Sequence, residues 1–489
     1  MNEILWQPRP EAAAATQIMA LARKQGFTGA DAVERVRAWS VAEPEAFWQR
    51  VWDLGGVRAS VPAEAVLRHG GRMPGAEWFP GARLNFAENL LRRDDATPAL
   101  IFSGEGGERR ELSWADLQAE VRGLAAALAA DGVGVGDRVA GYLPNIPETI
   151  IAMLATASLG AIWSSASPDF GVEGVLDRFG QIEPKLFFAC DGYWYAGKRL
   201  PILDKLKPIV AGLSTVQRVV VIDYLGDAAA TAAALPNAVT LDAFATPFVA
   251  AEPRFERLPF NHPIFILYSS GTTGAPKCIV HGAGGTLLKH LSEHQLNCDI
   301  RPGDRVFYFT TMGWMMWNWL VSALASEATL LLFDGSPFHP TGNVLFDYAQ
   351  AERATLFGTS AKYIDACKKA ELAPARTHDL SSVRLITSTG SPLAAESFDY
   401  VYSHIKSDAQ LASVSGGTDI VACFVAGDPT APVWRGEIQA PTLAVDIDVW
   451  DDDGKHLPRG KGELVCKKAF PSMPVMFWND PDGKKFKAA

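Results

Sequence analysis

The sequence predicts an α/β fold with mainly parallel sheets, followed by a hairpin or small β-barrel. Three observations carry that prediction. Short β-rich runs alternate with helical patterns, as parallel strands joined by crossover helices require. Near the end, "LAVDIDVWDDDGKHLPRGKGELVCKK" alternates with period two around an Asp-Gly turn, which is hairpin chemistry. The 489 residues, 48% hydrophobic and 20% charged, have a globular balance. At roughly 150 residues per domain they make about three packed units.

In chain order, residues 1–95 are rich in Trp and Arg, read as short helices with Pro/Gly breaks, and form a leading extension. "LSWADLQAEVRGLAAALAADGV" has helical spacing, with Ser113 as N-cap, Asp116 three residues on and Gly132 as the stop. "DRVAGYL" reads as a strand. The apolar run from Thr149 to Trp163 is shorter than the ~20 residues that span a bilayer and reads as a buried helix. "PKLFFAC", "RVVVID", "IFILYSS", "DRVFYFTT", "ATLLLFD", "ATLFGTS" and "VRLITST" read as strands, and the Ala-rich patch at Ala228 to Ala234 as a linker or short helix. The expected units are therefore 1–95, 96–435 and 436–489.

A net charge of −10 with no long Lys/Arg run argues against a nucleic-acid partner. The six Cys form no close C-x-x-C pair, so free thiols in a reducing cytoplasm are expected. The start, "MNEILWQPRP", lacks the cationic and apolar pattern of a secretory signal. Cytoplasmic location and no membrane span follow as expectations.

The run "YSSGTTGAPKCIVH", Tyr268 to His281, places small residues where backbone N–H groups can approach an anion, and Lys277 adds a positive charge. It is not a Walker loop, because Pro276 stands at the second glycine position and Cys278 where the metal-binding hydroxyl belongs. An ordinary polar strand-to-helix turn is the plain alternative. The full string closely resembles the phosphate loop of the adenylate-forming superfamily, which makes Ser269, Ser270, Gly271, Thr272, Thr273 and Gly274 candidate nucleotide contacts and Lys277 a candidate catalytic cation.

Further motifs resemble that superfamily in the same order. "WFPGARLNFAENLL" looks like the extension of its acetyl-CoA-synthetase-like members. "STGSPL" stands where the family's segment lines adenine, which implies Gly390, Ser391 and Pro392. "SVSGGTDI" resembles the motif whose Thr meets the α-phosphate and whose acid holds Mg; those roles fall on Thr418 and Asp419, with Ser415 and Gly417 beside them. The resemblance implies a large domain of two α/β subdomains plus a small distorted β-barrel. It also implies ATP, Mg and CoA as the cofactors of a ligase that makes an acyl-adenylate and then a thioester.

For the acid, the resemblance gives Gly416 where acetate-specific members carry a Trp that closes the pocket, so a longer acid is expected. Trp314, Met315, Met316 and Thr389 would line the rest. The spellings "TTMGWMMWNW", "SVSGGTDI" and "PSMPVMFWNDPDG" resemble a branch that activates acetoacetate, with another short acid as the alternative. Small molecules are the expected partners.

Two runs point elsewhere. "HLSEH", His290 to His294, spells the H-x-x-E-H of an inverted zinc peptidase and keeps a zinc metallohydrolase open as the rival class. "GYWYAGK" nearly completes a Walker loop, but Arg199 follows where Ser or Thr is required; by position it resembles the family's basic stretch for CoA, leaving Lys198 and Arg199 as candidates. The chain stops at "DPDGKKFKAA", before the family's hinge and small C-terminal domain, so the large domain alone and little thioester formation are expected of these 489 residues.

Overall fold

The structure, a computed structural model, describes residues 3–269 and 274–488. Every β-rich run named above forms a strand, and the strands divide between two sheets. Edge to edge, the first runs Ala238–Thr240, Arg218–Ile222, Leu186–Cys190, Arg138–Tyr142, Ile162–Ala166, Pro263–Ser269, Lys277–Gly282 and Met476–Phe477. It is parallel as far as Pro263–Ser269 and antiparallel beyond. The second runs Gln410–Ser413, Leu385–Thr389, Leu356–Ser360, Arg305–Tyr308, Thr329–Asp334, Pro98–Gly104 and Arg109–Ser113, with only the last pair antiparallel. Residues 98–113 thus precede the first sheet in the chain yet belong to the second.

Central strands such as Ile162–Ala166 and Leu186–Cys190 are buried at every residue, as parallel strands covered on both faces must be. Helices Pro147–Ser158 and Ala283–Ser292 are buried almost all round. Helix Trp114–Ala130 opens on the expected capping box: Ser113 Oγ accepts the Asp116 N–H and Asp116 Oδ2 accepts the Ser113 N–H, each at 3.0 Å. Gly132 follows it at φ +90°.

The apolar run Thr149 to Trp163 is not one helix. Helix ends at Ser158, Gly160 turns the chain at φ +69°, and Ile162 and Trp163 re-enter the first sheet. Continuous apolarity marked burial on both sides of the turn and hid the turn itself. The Ala-rich patch forms helix Ala228–Ala233.

The stretch read as hairpin or barrel pairs Ile447–Trp450 with Glu463–Cys466, and Gly454 in its turn has φ +73°. Ser415–Gly417, Ala422–Ala426 and Ala440–Pro441 make a three-stranded sheet beside it. At the other end, Trp52, Phe79 and Phe260 stack with centroids 4.6 and 5.2 Å apart, tying the leading helices to the approach of strand Pro263–Ser269. No helix among the described residues is long and apolar enough to cross a membrane.

Candidate active site

Four neighbouring strands of the second sheet, Arg305–Tyr308, Leu356–Ser360, Leu385–Thr389 and Gln410–Ser413, are parallel, so their carboxyl ends open on one edge. In open α/β sheets that edge is where ligands bind. Two adjoining cavities of about 360 and 210 Å³ lie there and share Trp314, Met316, Thr389, Gly390 and Ser391. Gly390 leaves the strand end at φ +88°, a conformation that disfavours side chains, and so carries the chain around the cavity rim.

The larger cavity gathers most of the expected site: Trp314, Met315, Met316, Thr389, Gly390, Ser391, Pro392, Ser415, Gly416, Gly417 and Thr418 all line it. Asp419 is exposed next to Thr418 in the short turn Thr418–Ile420, and among the described residues it makes no hydrogen bond or ion pair. That turn packs against strands Pro263–Ser269 and Lys277–Gly282, which bracket the candidate phosphate loop. Ser270, Gly271, Thr272 and Thr273 lie outside the described residues.

The structure places three further features of the sequence reading away from the cavity walls. The loop after Ser269 does not lead from strand to helix: Ser269 pairs with Lys277 in an antiparallel ladder, and helix Ala283–Ser292 starts only after Gly282. The β-rich run "KCIVHG" carried that information. Lys277 lines neither cavity, because its exposed ammonium rests over the Phe477 ring, 5.8 Å from the centroid. Lys198 and Arg199 are also outside both cavities, on the hairpin Gly192–Tyr195 with Lys198–Pro201. Arg199 pairs with Asp227, and the turn's Ala196 and Gly197 N–H groups donate to Glu105, which also accepts the Ser336 N–H at 2.6 Å. The near-Walker cradle is therefore filled by the chain's own carboxylate.

Gly416 lines the cavity, but space for a longer acid is not the whole reason for glycine there. A Cβ at 416 would stand 1.9 Å from the Ala422 carbonyl oxygen and 2.6 Å from the Cys423 Cα, across the ladder that pairs Gly416 with Cys423. With the backbones placed as they are here, their close approach favours glycine whatever fills the cavity.

Thr389 also differs from a simple lining residue. Its hydroxyl donates to the Val414 carbonyl at 2.9 Å, which leaves it able only to accept from a ligand. Sequence reasoning missed several wall residues, among them Tyr308, Thr310, Thr359, Ser360, Lys362 and Cys423. Several of them end or follow strands already legible in the sequence, so the register of parallel strands was the available signal. Burial pushes the Tyr308 hydroxyl and the Cys423 thiol well above their ordinary values, so both are neutral wall groups.

The H-x-x-E-H run is buried. Val421 O can only accept, so His290 Nε2 carries the proton it donates at 2.6 Å, and Nδ1 faces the Ser322 hydroxyl at 2.8 Å, for whose one proton the Asn318 carbonyl, at 3.0 Å, competes. Burial lowers the pKa values of His290 and His294 and keeps both neutral. Glu293 accepts from Trp319 Nε1 and Cys423 N and pairs with Lys289. Among the described residues no group of three or more His, Cys, Asp or Glu side chains is placed to hold a metal ion.

Comparison with known proteins gives the same assignment. The AMP-binding enzyme family matches residues 86–473, and the family described as acetyl-coenzyme A synthetase N-terminus matches residues 33–90. The chain is 61% identical over 451 residues to an acetoacetyl-coenzyme A synthetase of Rhizobium meliloti, covering 92% of this chain and 69% of that protein. It is 48% identical to the acetoacetyl-CoA synthetase of Mus musculus, with 92% and 68% covered. The solved acetoacetyl-CoA synthetase of Streptomyces lividans superposes with a TM-score of 0.92 at 44% identity, over 99% of this chain and 76% of that one. The chain therefore belongs to the AMP-binding enzyme family, on its acetoacetyl-CoA synthetase branch.

Proposed function

We propose that the protein activates acetoacetate with ATP and passes the acyl group to CoA, giving acetoacetyl-CoA, AMP and pyrophosphate. The carrying observation is the cavity at the strand ends, which the adenine candidates Gly390 to Pro392, the acid-pocket candidates Met315, Met316 and Gly416, and Thr418 line together. In this reading a carboxylate oxygen attacks the α-phosphorus and the bond to the bridging oxygen breaks, releasing pyrophosphate. The CoA thiolate then attacks the acyl carbon and AMP leaves.

The chain's own groups serve that chemistry by position and charge. Thr418 donates to the α-phosphate at the cavity edge. Lys277, at the exit of the loop, is exposed and reaches the phosphates by leaving the Phe477 face. Asp419, an oxygen donor with no partner among the described residues, fits a hard cation such as Mg. Bound Mg would offset charge on the phosphate oxygens. The division at 1–95, 96–435 and 436–489, CoA contact at Lys198 and Arg199, and a cytoplasmic location belong to the same reading.

The test is carboxylate-dependent exchange of pyrophosphate into ATP, comparing acetoacetate, acetate, propionate and butyrate. Preference for acetoacetate is expected, and silence with every acid would leave a nucleotide-binding protein or an inactive fragment. Another short acid remains the second reading, because Thr389 has already committed its proton to Val414 and offers no donor to a ketone. Preference for butyrate would favour it. The zinc reading requires about one tightly held zinc per chain, and metal analysis is expected to find far less.

A further inference from the structure

His290 and Glu293 are buried, and each bridges the same two elements. His290 joins Val421 O at 2.6 Å to Ser322 Oγ at 2.8 Å. Glu293 joins the Cys423 N–H at 2.9 Å to Trp319 Nε1 at 2.8 Å. Ser322 and Trp319 lie on helix Met315–Ser322, whose first residues, Met315 and Met316, form one wall of the larger cavity. Val421 and Cys423 flank the point where strand Ala422–Ala426 presses on Gly416, which lines the same cavity.

Lys289 completes the arrangement. Its ammonium, fully buried, pairs with Glu293 at 3.0 Å and donates to Thr442 Oγ1 at 2.8 Å, and Thr442 donates on to the Cys423 carbonyl at 3.0 Å. A buried charge pair with its hydrogen bonds filled on both sides is stiff, because breaking any one bond leaves a charge without solvent.

We propose that the H-x-x-E-H run is a brace for the acid pocket, in which His290 and Glu293 are positioning residues that set the separation of the Met315–Met316 wall from the Gly416 wall. The brace rests on the acid-activating reading above. It gives the run a role in acid selectivity with no metal, and it places selectivity in groups that never touch the acid.

The test uses Glu293→Gln together with two milder variants, Trp319→Phe, which deletes the bond to Glu293, and Ser322→Ala, which deletes those to His290 and the Asn318 carbonyl, in case the first does not fold. In pyrophosphate exchange the carboxylate KM should rise about tenfold or more, on the scale at which small misplacements of a bound group are felt, while the ATP KM stays within about twofold. Hydrogen exchange should quicken in residues 315–322 and 421–426, with the first sheet unchanged. Loss of kcat with both KM values unmoved, or amide protection unchanged in those segments or lost throughout, would overturn the brace. A parent protein silent with all acids would leave a nucleotide-binding protein or an inactive fragment, and hydrogen exchange would still decide the brace.

Discussion

Replacing Gly416 with alanine adds one carbon whose position the structure dictates. That carbon would lie 1.9 Å from the Ala422 oxygen, 2.6 Å from the Cys423 Cα and 2.8 Å from the Ala422 carbonyl carbon. All three are backbone atoms, so no side chain can swing aside. Reaching ordinary contact at 3.4 Å means moving strand Ala422–Ala426 by about 1.5 Å at this point. Glu293 and His290 hold that strand from behind. Overpacking costs about 1–3 kcal/mol, and a strained ladder hydrogen bond adds about 1 kcal/mol, so a loss of about 2–4 kcal/mol is expected for Gly416→Ala. Gly417 is the internal control: it is extended at φ −162°, and a Cβ there meets only Asp419, at 3.6 Å or more. Gly417→Ala should stay within about 0.5 kcal/mol of the parent. Urea unfolding reads both values, and pyrophosphate exchange with acids of two to four carbons reads the pocket. A pure space-filling account of Gly416 predicts instead a stable Gly416→Ala that merely turns toward acetate. That outcome would refute the close-approach argument.

Other consequences can be checked separately. Asp334 sits half-buried where the second sheet meets Tyr224 and Asn145, and loss of solvent around it pushes its carboxyl up to about 7, with Glu105 and Asp169 raising it further. An unfolded chain ionises Asp near ~3.9, so between there and about pH 7 the folded state keeps a proton that the unfolded state loses, and stability falls as pH rises through that window. Asp334→Asn should match the parent near pH 4 and exceed it by roughly 2–4 kcal/mol above pH 7; a pH-independent difference would contradict the assignment. Five of the six thiols are buried and only Cys466 is partly exposed, and burial pushes Cys278 and Cys298 up to about 12. A thiol reagent at pH 8 should titrate at most one Cys quickly in the native protein and all six after denaturation. Glu105→Ala should free the Gly192–Pro201 hairpin and speed its amide exchange without altering ATP binding, since it lies outside both cavities.

Much of this protein is legible in its sequence. Period and turn chemistry located the strands, and the capping box at Ser113 and Asp116 formed as read, because these are local properties of a few adjacent residues. Motif order placed Thr389 to Pro392, Ser415 to Thr418 and Trp314 to Met316 in one site, and the structure gathers them around one cavity. Tertiary structure alone decided what depends on residues far apart in sequence. The partner of Gly416 is a backbone that folds back from Ala422, the second sheet takes strands from before the first, and His290 and Glu293 meet Trp319, Ser322, Val421 and Cys423. A five-residue run can spell a metal site or a brace equally well. Which one it becomes depends on the elements packed against it, and that packing is settled only when the whole chain has folded.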